Sequence, residues 1–407
     1  MLVPPQTFAG NAQDDTEALR ERLSTTTDAY SRFVPREFLH LLGIDDIRKV
    51  EVGQQVERKM TILFADIRNF TSLSESMSPQ ENFNFLNSYL IHMEPVIAAH
   101  GGFIDKYIGD GIMALFPDSP DAALHCSQAM LKQLDEYNTG RERAGYRSIK
   151  VGEYGVPILI SEYTLYSLDE PDLWSIRFLD RTHVRGKQGT QSVYEVFDGD
   201  PAPVREAKIG TRKIFEEALA CYHVDDIVTA RERLLAYLAL VPDDDAARVY
   251  LERCETPAGG LREQRAELVS IWREEYAFGH PILDAEHKNL LADMNALARA
   301  VNVSALNLTA PLLAQIQFAA THDFTIEEQL MQEDEYPFVD LHTRQHQRFF
   351  EYFGELRREI ERGEENRVYL AFRVRRLLTG WLINHILSAD RHYSHYRDSR
   401  RRESMRL

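Results

Sequence analysis

Two aspartates lie at the ends of apolar segments of the kind that form β-strands. Asp66 closes the run MTILFAD, and Asp110 lies between two glycines in FIDKYIGDGIMALF. A strand that ends in one aspartate and a hairpin that carries another at its tip can bring both carboxylates to one edge of a sheet. Hard oxygen ligands of this kind favour Mg²⁺ or Mn²⁺, which keep part of their water and bridge to substrate phosphates. The pair therefore predicts a cation site that handles a phosphorylated substrate.

Residues beside the two aspartates can contact the same substrate. Phe70 and Thr71 directly follow the first strand and should open a helix, whose free N–H groups attract phosphate. Lys106 precedes Asp110 by four positions in the second segment. These neighbours strengthen the prediction of an anionic ligand.

The last third of the chain holds a second group of residues with metal-ligand chemistry. His342 and His346 are four positions apart, so on a helix they share one face and can bind one metal together. His385 and Asp390 are five positions apart, a spacing that lets the carboxylate bridge toward a second metal. For each histidine alone, the alternative is an ordinary core residue. Several such positions together favour a metal centre, because charged groups are rarely buried without a partner.

Local signals predict the elements that position these residues. Ser78 and Glu81 form a capping box that starts a helix, Gly101 ends it, and a second helix should run from Asp118 to Tyr137. With the two aspartate segments, this order needs one more strand to complete a ferredoxin-like α+β unit. In the last third, long helices with short connections predict an all-α four-helix bundle, whose core can hold a metal pair.

The two aspartate segments, MTILFADIRNFT and FIDKYIGDGIMALF, together resemble the class III nucleotide cyclases. These enzymes convert ATP or GTP into a 3′,5′-cyclic nucleotide and pyrophosphate. The resemblance runs from about Arg32 to Phe197 and implies binding of ATP or GTP with Mg²⁺ or Mn²⁺. The implied metal ligands are Asp66, Ile67 and Asp110, and the implied substrate-binding residues are Lys106, which contacts the purine, Phe70 and Thr71.

One block of the cyclase pattern is missing from this chain. YRSIKVGE is followed directly by YGVPILISEYTL, where the family continues with a strand and hairpin, a second purine-recognising residue, and a helix bearing an asparagine and an arginine. Those last two residues stabilise charge on the transferred phosphoryl group, and losing one such donor typically costs roughly 10²–10³ in rate. We therefore expect close to no turnover from this chain alone. Pairing with an intact cyclase stays open, because the family's sites form between two protomers.

The missing block also affects the expected fold. The fourth strand of a ferredoxin-like sheet is an edge strand, so we expect residues 157–161 to take its place in a weakened sheet. Near the start of the chain, SRFVPREFLHLLG resembles the lead-in that helps to pair two protomers of bacterial cyclases, which predicts a homodimer. The alternative is a helix that packs on its own domain.

Segments of the last third resemble the hemerythrin-like domains, which hold a non-haem di-iron centre that binds O₂ reversibly. The segments are IWREEYAFGHPILDAEHKNL, THDFTIEEQLMQEDEYPFVDLHTRQHQRFF and WLINHILSADRHY, within about Ile271 to Tyr396. The resemblance implies two iron ions and an O₂ or redox signal, with Glu327 and Asp390 as bridging carboxylates. The implied ligands are His287, Asp323 or His322, Glu327, His342, His346, His385 and Asp390.

One implied iron ligand departs from the hemerythrin pattern. The family has a histidine directly before the phenylalanine of this segment, whereas this chain has Asp323 there and His322 one position earlier. Either Asp323 serves as a harder ligand, or a local bulge lets His322 reach the metal. Extra carboxylate character would stabilise the ferric state and favour oxidation over reversible oxygenation.

The length and composition of the chain limit the classes of protein to which it can belong. The chain has 407 residues, which predicts two to four domains, and its net charge of −17 argues against nucleic acid or an anionic membrane as the main partner. Its three cysteines lack the spacing of a disulfide framework or a zinc site. No apolar run approaches the ~20 residues that span a bilayer, and the N-terminus lacks the basic start of a signal peptide. We expect a cytoplasmic protein without a membrane partner.

We divide the chain into four parts. Residues 1–58 form a lead and helix, and residues 59–198 form a truncated cyclase homology domain. Residues 199–262 resemble a tetratricopeptide-like helical hairpin and should act as a connector, and residues 266–400 form the hemerythrin-like bundle.

The leading functional hypothesis is a signalling protein related to adenylate cyclases, which convert ATP into cAMP and pyrophosphate, with an oxygen- or redox-sensing di-iron domain. One alternative is a catalytically inactive regulator that binds nucleotide. Another is an O₂- or iron-binding protein that carries a remnant of a cyclase.

Overall fold

The computed structural model describes residues 36–51, 53–56, 58–143, 146, 149–151, 156–183, 190–256, 271–277, 279–303, 305–363 and 366–404, together with Arg20 and Thr25. The chain divides into two compact units, Met1–Val151 and Gly152–Leu407. The first part of the expected lead-in SRFVPREFLHLLG lies outside the described residues. The four predicted domain ranges stay predictions, and the division into units falls inside the range 59–198.

The first unit contains a three-stranded antiparallel sheet. Its strands are β1 (Thr61–Ala65), β2 (Phe103–Ile108) and β3 (Gly111–Phe116), in the order β1-β3-β2. Ala65 pairs with Ile112, and Ile108 pairs with Gly111. This register places the end of β1 beside the β2–β3 turn, as the two aspartate segments predicted.

The helices of the first unit are α1 (Arg36–Leu41), α2 (Phe70–Ser74), α3 (Pro79–Ala99) and α4 (Pro120–Arg143), with a 3₁₀ turn at Ile47–Lys49. The capping box of Ser78 and Glu81 is present at the start of α3, as predicted. Helix α4 continues past Tyr137 to Arg143, and the side chain of Asn138 bonds both backbone groups of Ile149. Helices α3 and α4 cover one face of the sheet with a core that includes Phe85, Tyr89, Met93, Ile97, Ile112, Ala114, Phe116, Cys126 and Met130.

The expectation that residues 157–161 replace the fourth strand of this sheet is wrong. In the first unit only an isolated bridge between Ile67 and Val151 follows α4 among the described residues, with the Arg68 N–H donating to Lys150 O at 2.8 Å. Leu159–Ser161 instead forms β4 in the second unit and pairs with β6 (Thr190–Val196). Ile160 is buried there opposite Tyr194, so this short segment gains both hydrogen bonds and apolar contacts from β6.

The second unit begins with its own antiparallel sheet. Its order is β4-β6-β5, with β5 at Ile176–His183. Four helices belong to this part: α5 (Glu162–Ser167), α6 (Ala202–His223), α7 (Ile227–Leu240) and α8 (Asp245–Glu255). Helix α6 packs on β5 and α7, and Arg177 of β5 forms a fully buried ion pair with Glu195 of β6. The tetratricopeptide-like assignment of residues 199–262 stays a prediction.

The rest of the second unit is a four-helix bundle, as predicted. Three of its helices are α9 (Pro281–Asn302), α10 (Leu306–Glu333) and α11 (Val339–Arg362). The last helix, 367–404, comprises α12 (Arg367–Val374), α13 (Trp381–His385) and α14 (Arg391–Ser404), joined by π-helical turns at Arg375–Gly380 and Ile386–Asp390. Short 3₁₀ turns lie at Pro171–Leu173 and Glu274–Tyr276.

A single apolar core fills much of the bundle. It includes Leu290, Met294, Leu297, Ile316, Ala320, Phe324, Phe349, Phe353, Val374, Leu378, Trp381 and Leu382. Among the described helices, none combines the length and the hydropathy that a bilayer crossing requires.

Candidate metal centre

Seven predicted ligand side chains meet inside the bundle. Each is at most 4% exposed, and each of the four helices contributes at least one. They are His287 on α9, Asp323 and Glu327 on α10, His342 and His346 on α11, and His385 and Asp390 on the last helix.

The helix geometry explains the spacing of these ligands. His342 and His346, like Asp323 and Glu327, are four positions apart and therefore share a face of an α-helix. His385 and Asp390 are five apart, which on an α-helix would turn them away from each other. The π-helical turn Ile386–Asp390 corrects this, because a π-helix closes its hydrogen bonds over five residues. As a result, His385 Nε2 lies 3.2 Å from Asp390 Oδ1.

The first metal position lies between three imidazoles. His385 Nε2 is 3.0 Å from His346 Nε2 and 3.1 Å from His342 Nε2, and Glu327 Oε2 is 3.1 Å from His346 Nε2. Potential ligand atoms of these four residues lie within 4.8 Å of one another. Ligands bound side by side at about 2.1 Å from one metal are about 3 Å apart, so this arrangement suits one cation.

The second metal position lies on the other side of Glu327. Potential ligand atoms of His287, Glu327 and Asp390 lie within 4.8 Å of one another. His287 Nε2 is 2.9 Å from Glu327 Oε1 and 3.1 Å from Asp323 Oδ2. Glu327 and Asp390 face both positions, so their carboxylates can bridge two metals.

Electrostatics favours a cation in this centre. Burial, followed by the charge of Glu327, raises the pKa of Asp323 to about 6. Burial likewise raises the pKa of Asp390 well above its ordinary value. The carboxylate oxygens of both aspartates are buried, and their near contacts at 3.1 and 3.2 Å are to imidazole nitrogens of the same centre. Buried acceptors of this kind are costly unless a cation or a donor compensates them, so the residues fit a metal.

Burial also affects the pKa values of the histidines of the centre. It lowers the pKa of His385 well below its ordinary value and lowers that of His342, which favours the neutral imidazole that binds metals. For His346, burial opposes protonation, but hydrogen bonds to Glu327 and Glu328 outweigh it and raise the pKa to about 9. A metal would have to displace that proton on binding.

The structure places Asp323, and not His322, at the centre. The side chain of Asp323 is 1% exposed and lies 3.1 Å from His287. The side chain of His322 is 52% exposed, and its Nδ1 lies 3.8 Å from Glu286 Oε1. Adjacent residues on a helix point about 100° apart, so only one of the two can face inward without a bulge, and α10 is a regular α-helix at this point.

Glu328 also contacts the centre, although the sequence analysis did not name it as a site residue. Its Oε1 lies 2.7 Å from His346 Nδ1, so this carboxylate can fix the ring with Nε2 toward the metal position. The adjacent pair of glutamates in TIEEQLM was the signal in the sequence.

Aromatic rings shield the three-histidine side of the centre. Phe324 stacks on His346 with centroids 3.9 Å apart, and Trp381 stacks on His385 with centroids 4.5 Å apart. Helix α5 lies beyond them and was not expected near the centre. A small cavity of about 10 Å³ adjoins His385 and Trp381, and its other lining residues are Tyr163, Tyr166, Ser167, Gln345, Asn384 and Ser388.

In the first unit, the predicted cyclase aspartates lie next to each other. Asp110 Oδ2 accepts a hydrogen bond from the Ile67 N–H at 3.2 Å. Asp66 Oδ1 would lie 3.4 Å from a Cβ added to Gly111, the residue after Asp110. Both carboxylates therefore reach the same edge of the sheet.

The three residues of the first unit that are predicted to contact substrate have different surroundings. Lys106 is exposed and pairs with Asp105 at 3.0 Å. Phe70 is half-buried and stacks on Phe85, with ring centroids 6.4 Å apart, so it serves the core as well. Thr71 is exposed at the start of α2. Their roles in substrate binding stay predictions.

Two family models match the chain. Residues 279–394 match the hemerythrin HHE cation binding domain, and residues 52–152 match the adenylate and guanylate cyclase catalytic domain. The cyclase match ends at Gly152, within the stretch where the sequence departs from the cyclase pattern.

The individual relatives fall into the same two groups, adenylate cyclases and bacteriohemerythrins. An adenylate cyclase of Anabaena cylindrica is 38% identical over 220 residues, which are 43% of this chain and 44% of the relative. A bacteriohemerythrin of Stenotrophomonas maltophilia (strain R551-3) is 27% identical over 124 residues, which are 30% of this chain and 78% of the relative. A solved adenylyl cyclase from P. aeruginosa is 24% identical with a TM-score of 0.31, and the match covers 35% of this chain and 97% of that one.

The chain spans less than half the length of the Anabaena cyclase that it matches, and 14% of a Dictyostelium discoideum adenylate cyclase that is 28% identical over 292 residues. The two family matches agree with the two groups of acidic and histidine residues. Residues 279–394 are similar to the hemerythrin HHE cation binding domain, and they are joined in one chain to residues 52–152, which are similar to the adenylate and guanylate cyclase catalytic domain.

Proposed function

We propose that the bundle binds two iron ions and responds to O₂ or to redox state, as the sensing part of a cyclase-related signalling protein. The observation that carries this proposal is the meeting of four imidazoles and three carboxylates, each at most 4% exposed. Glu327 belongs to both groups of ligand atoms, and Asp390 lies beside His287 and also 3.2 Å from His385. Bound iron would supply reversible O₂ binding or a change of oxidation state. A cytoplasmic location remains a prediction.

The chain's own residues would control access to the iron. Glu328 holds His346 in one orientation, which keeps Nε2 available for the metal. Phe324 and Trp381 stack on two of the ligand rings and exclude water from that side. The buried carboxylates require a compensating cation, so metal binding and bundle stability are coupled.

The metal content tests this proposal directly. The full chain, loaded anaerobically with ferrous iron and desalted, should retain about two irons per chain, as hemerythrin-like ligand sets imply. Admission of air should then give the near-ultraviolet absorption of a ferric pair. His385→Leu should lose iron, and His322→Leu, which changes an exposed histidine of the same bundle, should not. A fully helical protein that retains no iron would refute the proposal.

A second candidate function is nucleotide binding by the first unit, because Asp66 and Asp110 lie at one sheet edge. We expect Mg²⁺- or Mn²⁺-dependent binding of ATP or GTP with close to no cyclisation, since the segment that bears the second purine contact and the phosphoryl-stabilising residues is missing. Such a chain would act as a nucleotide-binding regulator, as a homodimer or beside an intact cyclase.

Calorimetric titration of Mn²⁺-ATP and Mn²⁺-GTP tests the second function, with a cyclase assay in parallel. Asp66→Asn should abolish the metal-dependent part of binding, and Asp105→Asn, at an aspartate of the same hairpin, should leave it. Clear cAMP formation by the isolated chain would overturn the expectation of an inactive site. Absence of any binding would leave the metal-binding bundle as the function of this chain.

A further inference from the structure

The two metal positions of the bundle offer different donor atoms. The first lies between the three nitrogens of His342, His346 and His385. The second has one nitrogen, from His287, and a carboxylate that serves it alone, from Asp323. The bridging carboxylates Glu327 and Asp390 serve both. Counting donors gives three nitrogens and two carboxylates at the first position, and one nitrogen and three carboxylates at the second.

Asp323 has the burial and the position expected of a metal ligand, not those of a surface residue. Its side chain is 1% exposed, and Oδ2 lies 3.1 Å from His287 Nε2, the separation expected for two ligands side by side on one metal. Oδ1 has no hydrogen-bond partner within the described residues, and Oδ2 contacts His287 Nε2, itself a candidate ligand, so both oxygens keep lone pairs for a cation. The exposed His322 cannot supply the missing nitrogen from its place on the helix.

The difference in donor atoms gives the two positions different metal preferences. Imidazole-rich sites suit iron, whereas carboxylate-rich sites suit manganese and other hard cations. Fe²⁺ outranks Mn²⁺ at any nitrogen and oxygen site, but the advantage is smaller where nitrogen donors are few. The first position should therefore select iron strongly, and the second should select it weakly.

We propose that the centre is built for two different metals, with iron between His342, His346 and His385 and Mn²⁺ between His287 and Asp323. This inference rests on the proposed metal-binding function and specifies the second ion. It gives Asp323 a role as the residue that determines metal specificity. A mixed pair forms wherever manganese exceeds iron.

The test is competitive metal loading of the full chain without oxygen. Metal-free protein receives two equivalents of Fe²⁺ per chain and an excess of Mn²⁺, is desalted, and is analysed for both metals and by electron paramagnetic resonance. We expect one iron and one manganese per chain, with the six-line Mn²⁺ spectrum altered by the neighbouring iron. Asp323→His should lower manganese uptake at least roughly tenfold, since changes even to the outer shell of a metal site typically cost about 10–100-fold in affinity.

Two further variants serve as controls for this test. Asp323→Asn keeps the shape of the side chain but removes its charge, so it should retain one iron and lose manganese even if the histidine variant does not fold. His322→Asp adds the same acidic group on the solvent side and should behave as the wild type. Retention of two irons and no manganese by the wild type would overturn the inference while leaving the di-iron proposal intact. A folded wild-type protein that binds neither metal would overturn both.

Discussion

Replacing Asp323 with asparagine should stabilise the metal-free chain in a pH-dependent way. In the metal-free protein, Asp323 is buried beside Glu327, and the pKa of its carboxyl rises from 3.8 to about 6. The folded state therefore binds this proton more tightly than the unfolded state does. Folding is disfavoured by the ionised group above about pH 6, and the penalty disappears as the pH falls below about 4.

The structure sets the size of this effect. A shift of about two pKa units corresponds to at most about 3 kcal/mol in the free energy of unfolding. Because the nearby charge of Glu327 is part of the cause of this shift, we expect a difference of about 1–3 kcal/mol at pH 7. Asp323→Asn removes the ionised group while preserving the volume of the side chain. The metal-free variant should therefore unfold at a higher denaturant concentration than the metal-free wild type at pH 7, and this difference should shrink to about a third by pH 4.5.

The assay is urea unfolding of chelator-treated protein, followed by far-ultraviolet circular dichroism from pH 4.5 to 7.5. His322→Asn is the matched control, because it changes the adjacent exposed side chain and should shift nothing. With metal bound, the order should reverse, since the carboxylate then neutralises the cation. Equal stability of the two metal-free proteins at pH 7 would refute the reasoning, and so would a difference of the same size at pH 4.5.

Three further predictions concern other parts of the two sites. Glu328→Ala should lower metal affinity roughly 10–100-fold by freeing the ring of His346, with partial rescue by Glu328→Gln, measured by competition with a chelator. Phe324→Ala should cost about 3–5 kcal/mol of stability, with or without metal, because the ring is 3% exposed and packs in the bundle core; urea unfolding measures it. Asp66→Asn and Asp110→Asn should each remove Mn²⁺-dependent nucleotide binding in calorimetry, and unchanged binding would show that the pair is not the metal site.

The predicted ligands of the bundle could be grouped from the sequence because α-helices have a fixed period. Histidines four positions apart on a helix share a face, so the sequence alone pairs His342 with His346. The choice between Asp323 and His322 could not be made, since it depends on the rotation of α10 within the bundle. Glu328 was missed for the same reason, as its neighbour Glu327 already accounted for the inward face.

Strand pairing in the front part of the chain was predicted less well. The hairpin between β2 and β3 is local, and its turn residues specify it. The partner of Leu159–Ser161 is not local, and an apolar triplet fits the edge of any sheet of suitable width. Its pairing with β6 depends on residues more than 30 positions away, which no local signal in the segment encodes.

Gly380 offers a test of how α5 packs on the helix that carries His385. An added Cβ would lie 2.8 Å from Glu162 Oε1, and Glu162 is only 5% exposed, so its carboxylate has little room to move. Because Gly380 has helical backbone angles, alanine there would otherwise stabilise the helix by about 1 kcal/mol. Gly380→Ala should therefore destabilise the wild type by about 1–3 kcal/mol through overpacking, yet stabilise a Glu162→Ala background. Thermal unfolding of the four proteins measures this, and the change of sign should persist without metal, since the contact lies outside the ligand set. If alanine stabilised both backgrounds equally, Glu162 would not lie against the metal-bearing helix.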